Sequence, residues 1–518
     1  TRTLPVSAVP VQRNYRTNIY GSLLTNSVNI NVEIVPDFNE PDYEGEKFEA
    51  TAKVNGVEYP SFAAAVKAVN DGGAGTYNVV LQGTTSWETG DAGDNANKCF
   101  TNPASTVNLD LNGKSLTMTG SGGFVNAAKM NISNGTIVDK TAYKYENGET
   151  AWEFTYLEFE GGEYTFDNVT FNNSVMFKGT KATATNCIFK GIATLTSNQS
   201  DEYCLWIGKG DVMLKGCKIS NGYRGVKAHN GYGTEDINIV IDGCEFFDLA
   251  GKAAVLTDRK VVSCDIKDCT FRDVQAGGQG MYAYQSYTSL RPKVSNCRVV
   301  FTKAQGLVNF AKQVNEVKMS YSDKTLTFEL GSDIDLAGIN WEPIGQTGVQ
   351  QFQGVFDGKN YTIKNLTINK VSTEEYVVAG FFGWLNDGAN VKNVKFDGVK
   401  ITASGYAGVV AGYIENHVTP EAQISNCHVN NAAISSKANG SAKGAKVGGI
   451  IGMFTDPAHV TNCSVSDTKI DAARDAGQIV GATYAGRIVN CTATNVNVTA
   501  NGTGDGSNVR DELIGRIL

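Results

Sequence analysis

The chain has 518 residues and a formal net charge of −8, with 57 Gly but only 10 Pro. That acidic balance, with a sequence pI near 5.3, argues against nucleic acid as a partner, which would select a basic face. No apolar run approaches the roughly 18 residues a membrane-crossing helix needs, so no membrane insertion by this chain is expected.

Residues 1–45 stand apart from the rest of the chain. Val9–Tyr20 and Val28–Ile34 read as two strands around Gly21-Ser22, and the alternation of Val28, Ile30, Val32 and Ile34 marks one buried face. Two strands are too few for an independent sheet. Pro36–Gly45 is an acidic linker broken by two prolines. The chain opens at Thr1 without Met and shows no leader, so a secretion signal is expected upstream.

Beyond the linker, Ser61 is placed as an N-cap, and Phe62, Ala65, Val66 and Val69 share one helical face that Gly72-Gly73 ends. Such a helix is expected to cover the open end of a solenoid, whose first coil would otherwise expose its core and strand edges.

From Val79 to about Lys303 a signature recurs: Asn, Gly or Asp, then Cys, any residue, and an apolar one. It stands at Cys187, Cys217, Cys244, Cys269 and Cys297, in steps of 30, 27, 25 and 28 residues, and again at Cys427, Cys463 and Cys491. Apolar residues two apart, as in Val169 and Phe171, give the period of a strand with one buried face. Asn and Gly tolerate left-handed backbone angles and so suit a corner before each strand. One short strand cannot bury its face alone, so successive copies must stack in parallel over a shared core. The fold class is all-β, a right-handed parallel β-helix. Between Tyr143 and Glu163 the repeat is less regular, and a lateral loop is expected there.

A second helix is predicted over Gly306–Asn315, with Leu307, Phe310, Ala311 and Val314 on one stripe. Strands at Thr325–Leu330 and Asp333–Leu336 and the element Trp341-Glu-Pro-Ile-Gly345 come next. A fresh helix and a fresh start predict two stacked modules, 46–302 and 303–518, each with a short capping helix. In the second, pairs of apolar residues precede Gly at Phe381-Phe382-Gly383, Ile450-Ile451-Gly452, Ile479-Val480-Gly481 and Leu513-Ile514-Gly515.

Three resemblances attach to these stretches. Arg13-Asn-Tyr-Arg-Thr-Asn-Ile-Tyr-Gly21 resembles the closing strands of a fimbrillin-like β-sandwich, which implies more of that domain upstream. The apolar-apolar-Gly repeats of 303–518 resemble GLUG-motif repeats of secreted and surface-anchored bacterial proteins. Residues 46–302 resemble the pectin-lyase-like β-helix superfamily, many of whose members are polysaccharide lyases or hydrolases. Together they imply a protein outside the cell or on the outer-membrane surface of a Gram-negative bacterium.

Eight of the 11 cysteines share one repeat position, so stacking sets them one above another. Adjacent parallel strands lie roughly 4.8 Å apart, beyond the roughly 3.8 Å between disulfide-bonded Cβ atoms. No Cys-x-x-Cys pair occurs, and none of the four His sits at metal-ligand spacing from a Cys. These cysteines read as reduced, buried, small apolar fillers, and no metal site or cofactor is predicted from them.

The lyase resemblance requires a search for chemistry. A lyase needs acidic residues to hold Ca²⁺ and a basic group beside the uronate carboxylate; a hydrolase needs two carboxylates roughly 5–9.5 Å apart. The best stretch is Asn221–His229, where Arg224, Lys227 and His229 lie close together, followed by Asp248, Asp258, Arg259 and Asp273. Asn221, Asp248 and Asp273 each fall four residues after a repeat Cys and form one column. That column reads first as turn residues bonding to the backbone, with a Ca²⁺ site or catalysis as the sharper alternatives. Exposed aromatics offer another function, since sugars stack on ring faces. Tyr143, Tyr145, Trp152, Tyr156, Tyr223, Tyr232, Tyr282, Tyr284 and Tyr287 are the candidates, with Tyr282 and Tyr284 pointing the same way, either into the solenoid or along its flank. The resulting expectation is a non-catalytic adhesin whose flank contacts a glycan or a surface protein. A polysaccharide lyase or glycoside hydrolase is the alternative.

Overall fold

A left-handed residue turns the corner of each coil. The computed structural model describes residues 17–20, 31–34, 50–88, 99–119, 123–125, 129–139, 157–191, 203–230, 233–249, 253–273, 282–316, 326–372, 377–415, 421–437, 445–455, 458–484, 487–500 and 513–515. Asn186, Asn296, Asn426, Asn462 and Asn490 precede their cysteines with φ between 51° and 55°, and Gly216 and Gly243 take the same corner at 61° and 63°. The side chains at this corner also tie coil to coil. Asn426 Nδ2 donates to Asn393 Oδ1 at 2.8 Å, and Asn393 Nδ2 donates to Asp357 Oδ1 at 3.0 Å.

Between corners, the strands of successive coils pair in parallel, whereas Ala52–Val54 pairs antiparallel with Val57–Tyr59 and Gly75–Leu81. The register runs Ala182↔Val212↔Ile239↔Cys264 through four successive coils, and all four side chains are buried. Aromatic rings stack along the same axis, Phe171 on Phe189 and Phe246 on Phe271, each at 5.0 Å between centroids. All 11 cysteines are buried free thiols. One main core reaches from Ala52 to Cys491, the continuous apolar column that stacked, half-buried strands require.

Helix α1 (Phe62–Asn70) forms where the capping pattern predicts it. Ser61 accepts a hydrogen bond from the Ala64 N–H at 3.1 Å, and Phe62, Ala65, Val66 and Val69 are buried. Helix α2 (Ala304–Glu316) buries the expected Leu307, Phe310, Ala311 and Val314. Its position differs from an end cap. Cys297–Phe301, before it, pairs in parallel with Leu326–Leu330, after it, in the register Cys297↔Leu326 to Phe301↔Leu330. That second strand pairs onward with Val355–Asp357. The ladder therefore runs straight past the 302/303 junction, and α2 leaves the stack and returns to it. Phe310 fills the gap, 5.3 Å from Phe301 and 4.4 Å from Phe328.

In the C-terminal coils, Tyr406–Gly408, Lys446–Gly448 and Asp475–Gly477 form one short sheet with Val378–Ala379. Ala411–Ile414, Ile451–Phe454 and Val480–Thr483 form another with Phe382–Leu385. The Gly of the apolar-apolar-Gly repeat has a steric reason. A Cβ on Gly452 would lie 2.6 Å from Ala407 N, and one on Gly481 would lie 2.5 Å from Gly452 O. The apolar pairs before these glycines are wholly buried.

Residues Thr1–Ala50 form a separate unit. Its described part is an antiparallel pair, Thr17–Tyr20 with Asn31–Ile34, in the register Thr17↔Ile34. Of the lateral loop expected from Tyr143 to Glu163, the part up to Tyr156 lies outside the described residues, and Leu157–Glu160 is a strand of the stack. No described helix is long and apolar enough to cross a membrane.

Candidate functional site

One seven-stranded parallel sheet forms a flank of the solenoid. Its strand order is Tyr282–Ser286, Ala253–Thr257, Arg224–Ala228, Tyr203–Ile207, Val175–Lys178, Leu157–Glu160 and Gly123–Val125. In two central strands, consecutive residues turn inward. Cys204 and Leu205 both belong to the main core. Gly225 stands beside Val226 with its bare face toward Phe246, where a Cβ would come within 3.1 Å of the ring and 2.2 Å of the Ala254 carbonyl oxygen. Doubling the inward residues breaks the two-residue alternation. Residues three apart then share the outer face: Tyr203 with Trp206, and Arg224 with Lys227.

These four meet in register, Tyr203 beside Arg224 and Trp206 beside Lys227. The Lys227 ammonium lies 4.4 Å from the centre of the Trp206 ring and 5.0 Å from that of Tyr203. Arg224 lies between two rings, its guanidinium carbon 5.3 Å from Tyr203 and 5.4 Å from Tyr223. Each such contact contributes about 0.5–2 kcal/mol, more where water is excluded. Arg224, Lys227 and Tyr223 are each 8% exposed. Arg224 Nη1 also donates a hydrogen bond to the Tyr203 hydroxyl.

At the end of the same strand, His229 stacks on Trp206 at 6.2 Å, and Trp206 Nε1 donates to the His229 carbonyl at 3.1 Å. His229 Nδ1 is 3.5 Å from Asp258 Oδ2, and both side chains are about four-fifths buried. The face thus combines two cations, three aromatic rings and an imidazole–carboxylate pair. Tyr203 is wholly buried and Trp206 partly exposed, so the Trp206 ring is the surface this cluster offers for stacking a sugar.

Tyr223, Arg224 and Lys227 are therefore together, as are His229 and Asp258. The other candidates are placed differently. Asp273 is 3% exposed, and its Oδ1 accepts the N–H groups of Thr302 at 2.8 Å and Lys303 at 3.2 Å, at the entry to α2. Asp248 is exposed and meets Lys303 Nζ at 3.3 Å. Asp248 and Asp273 have φ of 49° and 40°, the geometry of turn residues. No group of three or more His, Cys, Asp or Glu among the described residues is placed to hold a metal ion. Tyr284 pairs with core-facing Val255 and packs against the core, so of its two alternatives it takes the interior. Tyr287 is 56% exposed. For Tyr282 the backbone register alone is described, opposite Ala253. Tyr143, Tyr145, Trp152, Tyr156 and Tyr232 lie outside the described residues.

Tyr203 and Trp206 escape a reading of the sequence, because a three-residue spacing carries no strand signal. A second aromatic group is missed because its members come from four different strands. Trp384 and Tyr413 meet edge to face at 4.8 Å, Tyr406 lies 5.4 Å from Tyr413, and Lys446 Nζ sits 5.0 Å over Tyr406. These aromatics form a cluster separate from the main core. A cavity of about 340 Å³ also lies between α2 and the 339–346 segment. Its walls are mostly apolar, among them Val308, Ala311, Ile339 and Trp341.

A family model described as a right-handed β-helix region matches residues 155–320, which contain the whole flank cluster. With the parallel stack, this makes the chain a right-handed parallel β-helix. A family of unknown function (DUF6562) matches residues 2–61. Among curated proteins, none matches. Among solved structures, a candidate immunoglobulin A1 protease from Bacteroides ovatus is similar at 22% identity over 42% of this chain and 83% of that one. Its TM-score of 0.28 is too low to carry an inference.

Proposed function

We propose that the protein is a non-catalytic adhesin, secreted by or displayed on a Gram-negative bacterium, whose β-helical flank binds glycans. The observation that carries this reading is the outer face of Tyr203, Trp206, Tyr223, Arg224 and Lys227. Trp206, the partly exposed ring of the group, is backed by the buried Tyr203 and Lys227, and ordering few side chains on binding keeps the entropic cost low. The GLUG-type repeats and the fimbrillin-like segment at the N-terminus belong to the same proposal, as does a surface protein as an alternative partner.

His229 beside Asp258, next to two cations, favours a second reading as a polysaccharide lyase or hydrolase. A glycan array and an activity screen on the intact chain separate the two. Binding that falls about tenfold or more in Trp206→Ala, without release of unsaturated or reducing sugar, is the expected result. Release of either sugar by the unmodified protein establishes the enzyme instead.

A further inference from the structure

Helix α2 turns one face to the core and leaves a second, half-apolar face to a hollow. Leu307, Phe310 and Val314 are wholly buried against the solenoid. Val308, Ala311, Lys312 and Asn315 follow the i, i+3, i+4, i+7 spacing of an adjoining face. That face lines one side of the cavity of about 340 Å³, and Ile339 and Trp341 line the other. Val308 and Ile339 pack against the core yet stay partly exposed, so some of their apolar surface is left bare.

Hydrogen bonds fix the separation of the two walls. Asn315 Nδ2 donates to the Pro343 carbonyl at 2.9 Å, and Asn315 Oδ1 accepts the Gly345 N–H at 2.8 Å. The Asn315 carbonyl accepts from Gln350 Nε2. The far wall is pinned in turn to later coils. Trp341 N–H donates to the Thr367 carbonyl at 2.8 Å, and its indole N–H donates to the Phe381 carbonyl at 3.0 Å. Neither wall can close on the other without breaking these bonds, so the hollow is preformed. Preformed apolar hollows of about 300–1,000 Å³ with a few polar groups at the edge are the usual seat of small molecules.

Size and charge narrow the occupant. An apolar cavity of roughly 150 Å³ holds benzene, so this one has room for about two rings. Its apolar walls suit rings of carbon rather than a sugar, whose hydroxyls would lose water there without partners. At the rim stand two carboxylates, Glu316 and Glu342, against one ammonium, Lys312. Lys312 Nζ is 3.6 Å from Glu316, which leaves Glu342 to face an incoming charge. Glu342 Oε2 accepts from Gln346 Nε2 at 2.7 Å and lies 3.9 Å from Lys370 Nζ. Both contacts fall on Oε2, and Oε1 is the oxygen left for a donor.

We propose that the hollow beside α2 is a binding site for a small ring amine. One or two apolar rings sit between Val308 and Ile339, and the ammonium stands at the rim beside Glu342. The site is separate from the Trp206 flank and does not depend on that flank binding glycans.

The test uses three probes that share one ring system and differ in head group: naphthylmethylamine, naphthylmethanol and naphthylacetic acid. Binding to the intact 518-residue chain is read by ligand-observed NMR and by the rise in melting temperature that a ligand of the folded state produces. The amine is expected to bind saturably and roughly threefold or more tighter than the acid, since a charge contact at an exposed rim adds little. Val308→Phe, which fills the hollow from a partly exposed position, is expected to abolish amine binding. Ala311→Leu fills it from deeper in the helix and should do the same. Glu342→Gln is expected to bring the amine down to the affinity of the alcohol. Circular dichroism establishes that each variant is folded, and the three-probe comparison on the parent stands without them.

Absence of saturable amine binding by the folded parent would overturn the site. Amine binding that survives both filling variants would overturn it too, placing the probe elsewhere on the chain. Acid bound as tightly as amine would overturn the assignment of the ligand as an amine.

Discussion

The backbone N–H of Thr302 donates to the carboxylate of Asp273 at 2.8 Å, joining a coil corner to the first step of the excursion that becomes α2. Lys303 N–H and the Thr302 hydroxyl bond to the same carboxylate. The acid is buried and occupied as an acceptor. It serves as a clamp on the chain entering the helix.

Removing that clamp leaves two part-buried backbone donors without their acceptor. Asp273→Ala is therefore expected to lower stability by about 2 kcal/mol, within the usual cost of unsatisfied buried groups. Asp248, in the same column but half exposed beside Lys303, should cost less than about 1 kcal/mol on the same change. Asp273→Asn keeps one acceptor oxygen and should fall between. Chemical denaturation of the three variants measures this. Equal effects at positions 248 and 273 would refute the clamp.

Much of the scaffold was legible in the sequence because its corners are written in residue types. Asn before Cys predicted a left-handed corner, and Asn186, Asn296 and Asn426 have it. Helices α1 and α2 came from caps and apolar stripes. The site was legible only by halves. Tyr223, Arg224 and Lys227 stood out because they are adjacent in the chain, whereas Tyr203 and Trp206 come from the preceding coil, through a doubled inward step that breaks the strand period. Nor did the sequence reveal that Leu326–Leu330 resumes the ladder left at Phe301, since a helix of 13 residues intervenes.

The buried cysteines set a chemical expectation. Burial pushes the Cys264 thiol up to about 12, and Cys99, wholly buried, is raised as well. All 11 thiols are buried away from a reagent, so the native protein should react slowly with one near neutral pH. The denatured chain should titrate close to its full 11 thiols. Four or more missing thiols would mean disulfides, and the stacked register would be wrong.

The unbroken ladder predicts where the chain can be cut. Starting a fragment at residue 303 removes Cys297–Phe301 and bares the edge of Leu326–Leu330 together with one side of Phe310 and Phe328. An open apolar edge strand invites association. The 303–518 fragment should therefore melt lower and aggregate more than a 46–518 fragment, by thermal scan and light scattering. Equal melting and solubility would show that the second set of coils is a module in its own right.

His428 supplies a pH dependence with a defined sign. Nδ1 lies 2.8 Å from Ser464 Oγ and Nε2 lies 3.2 Å from Asn426 Oδ1, so one neutral tautomer satisfies both contacts. Burial, and then the positive charge of Lys395, hold its pKa below the ordinary 6.5. The unfolded chain therefore takes up a proton at a pH where the folded chain still resists it. Linkage then makes stability fall as pH drops through 6.5 toward the depressed folded value, and level off below it. The depressed carboxylates Asp333 and Asp357 act in a separate window, below their ordinary 3.8. Between about pH 7.5 and about pH 5, the parent should lose more melting temperature than His428→Gln, whose amide keeps hydrogen-bonding capacity without titrating. Identical slopes for parent and variant would show that the imidazole does not sense pH through folding.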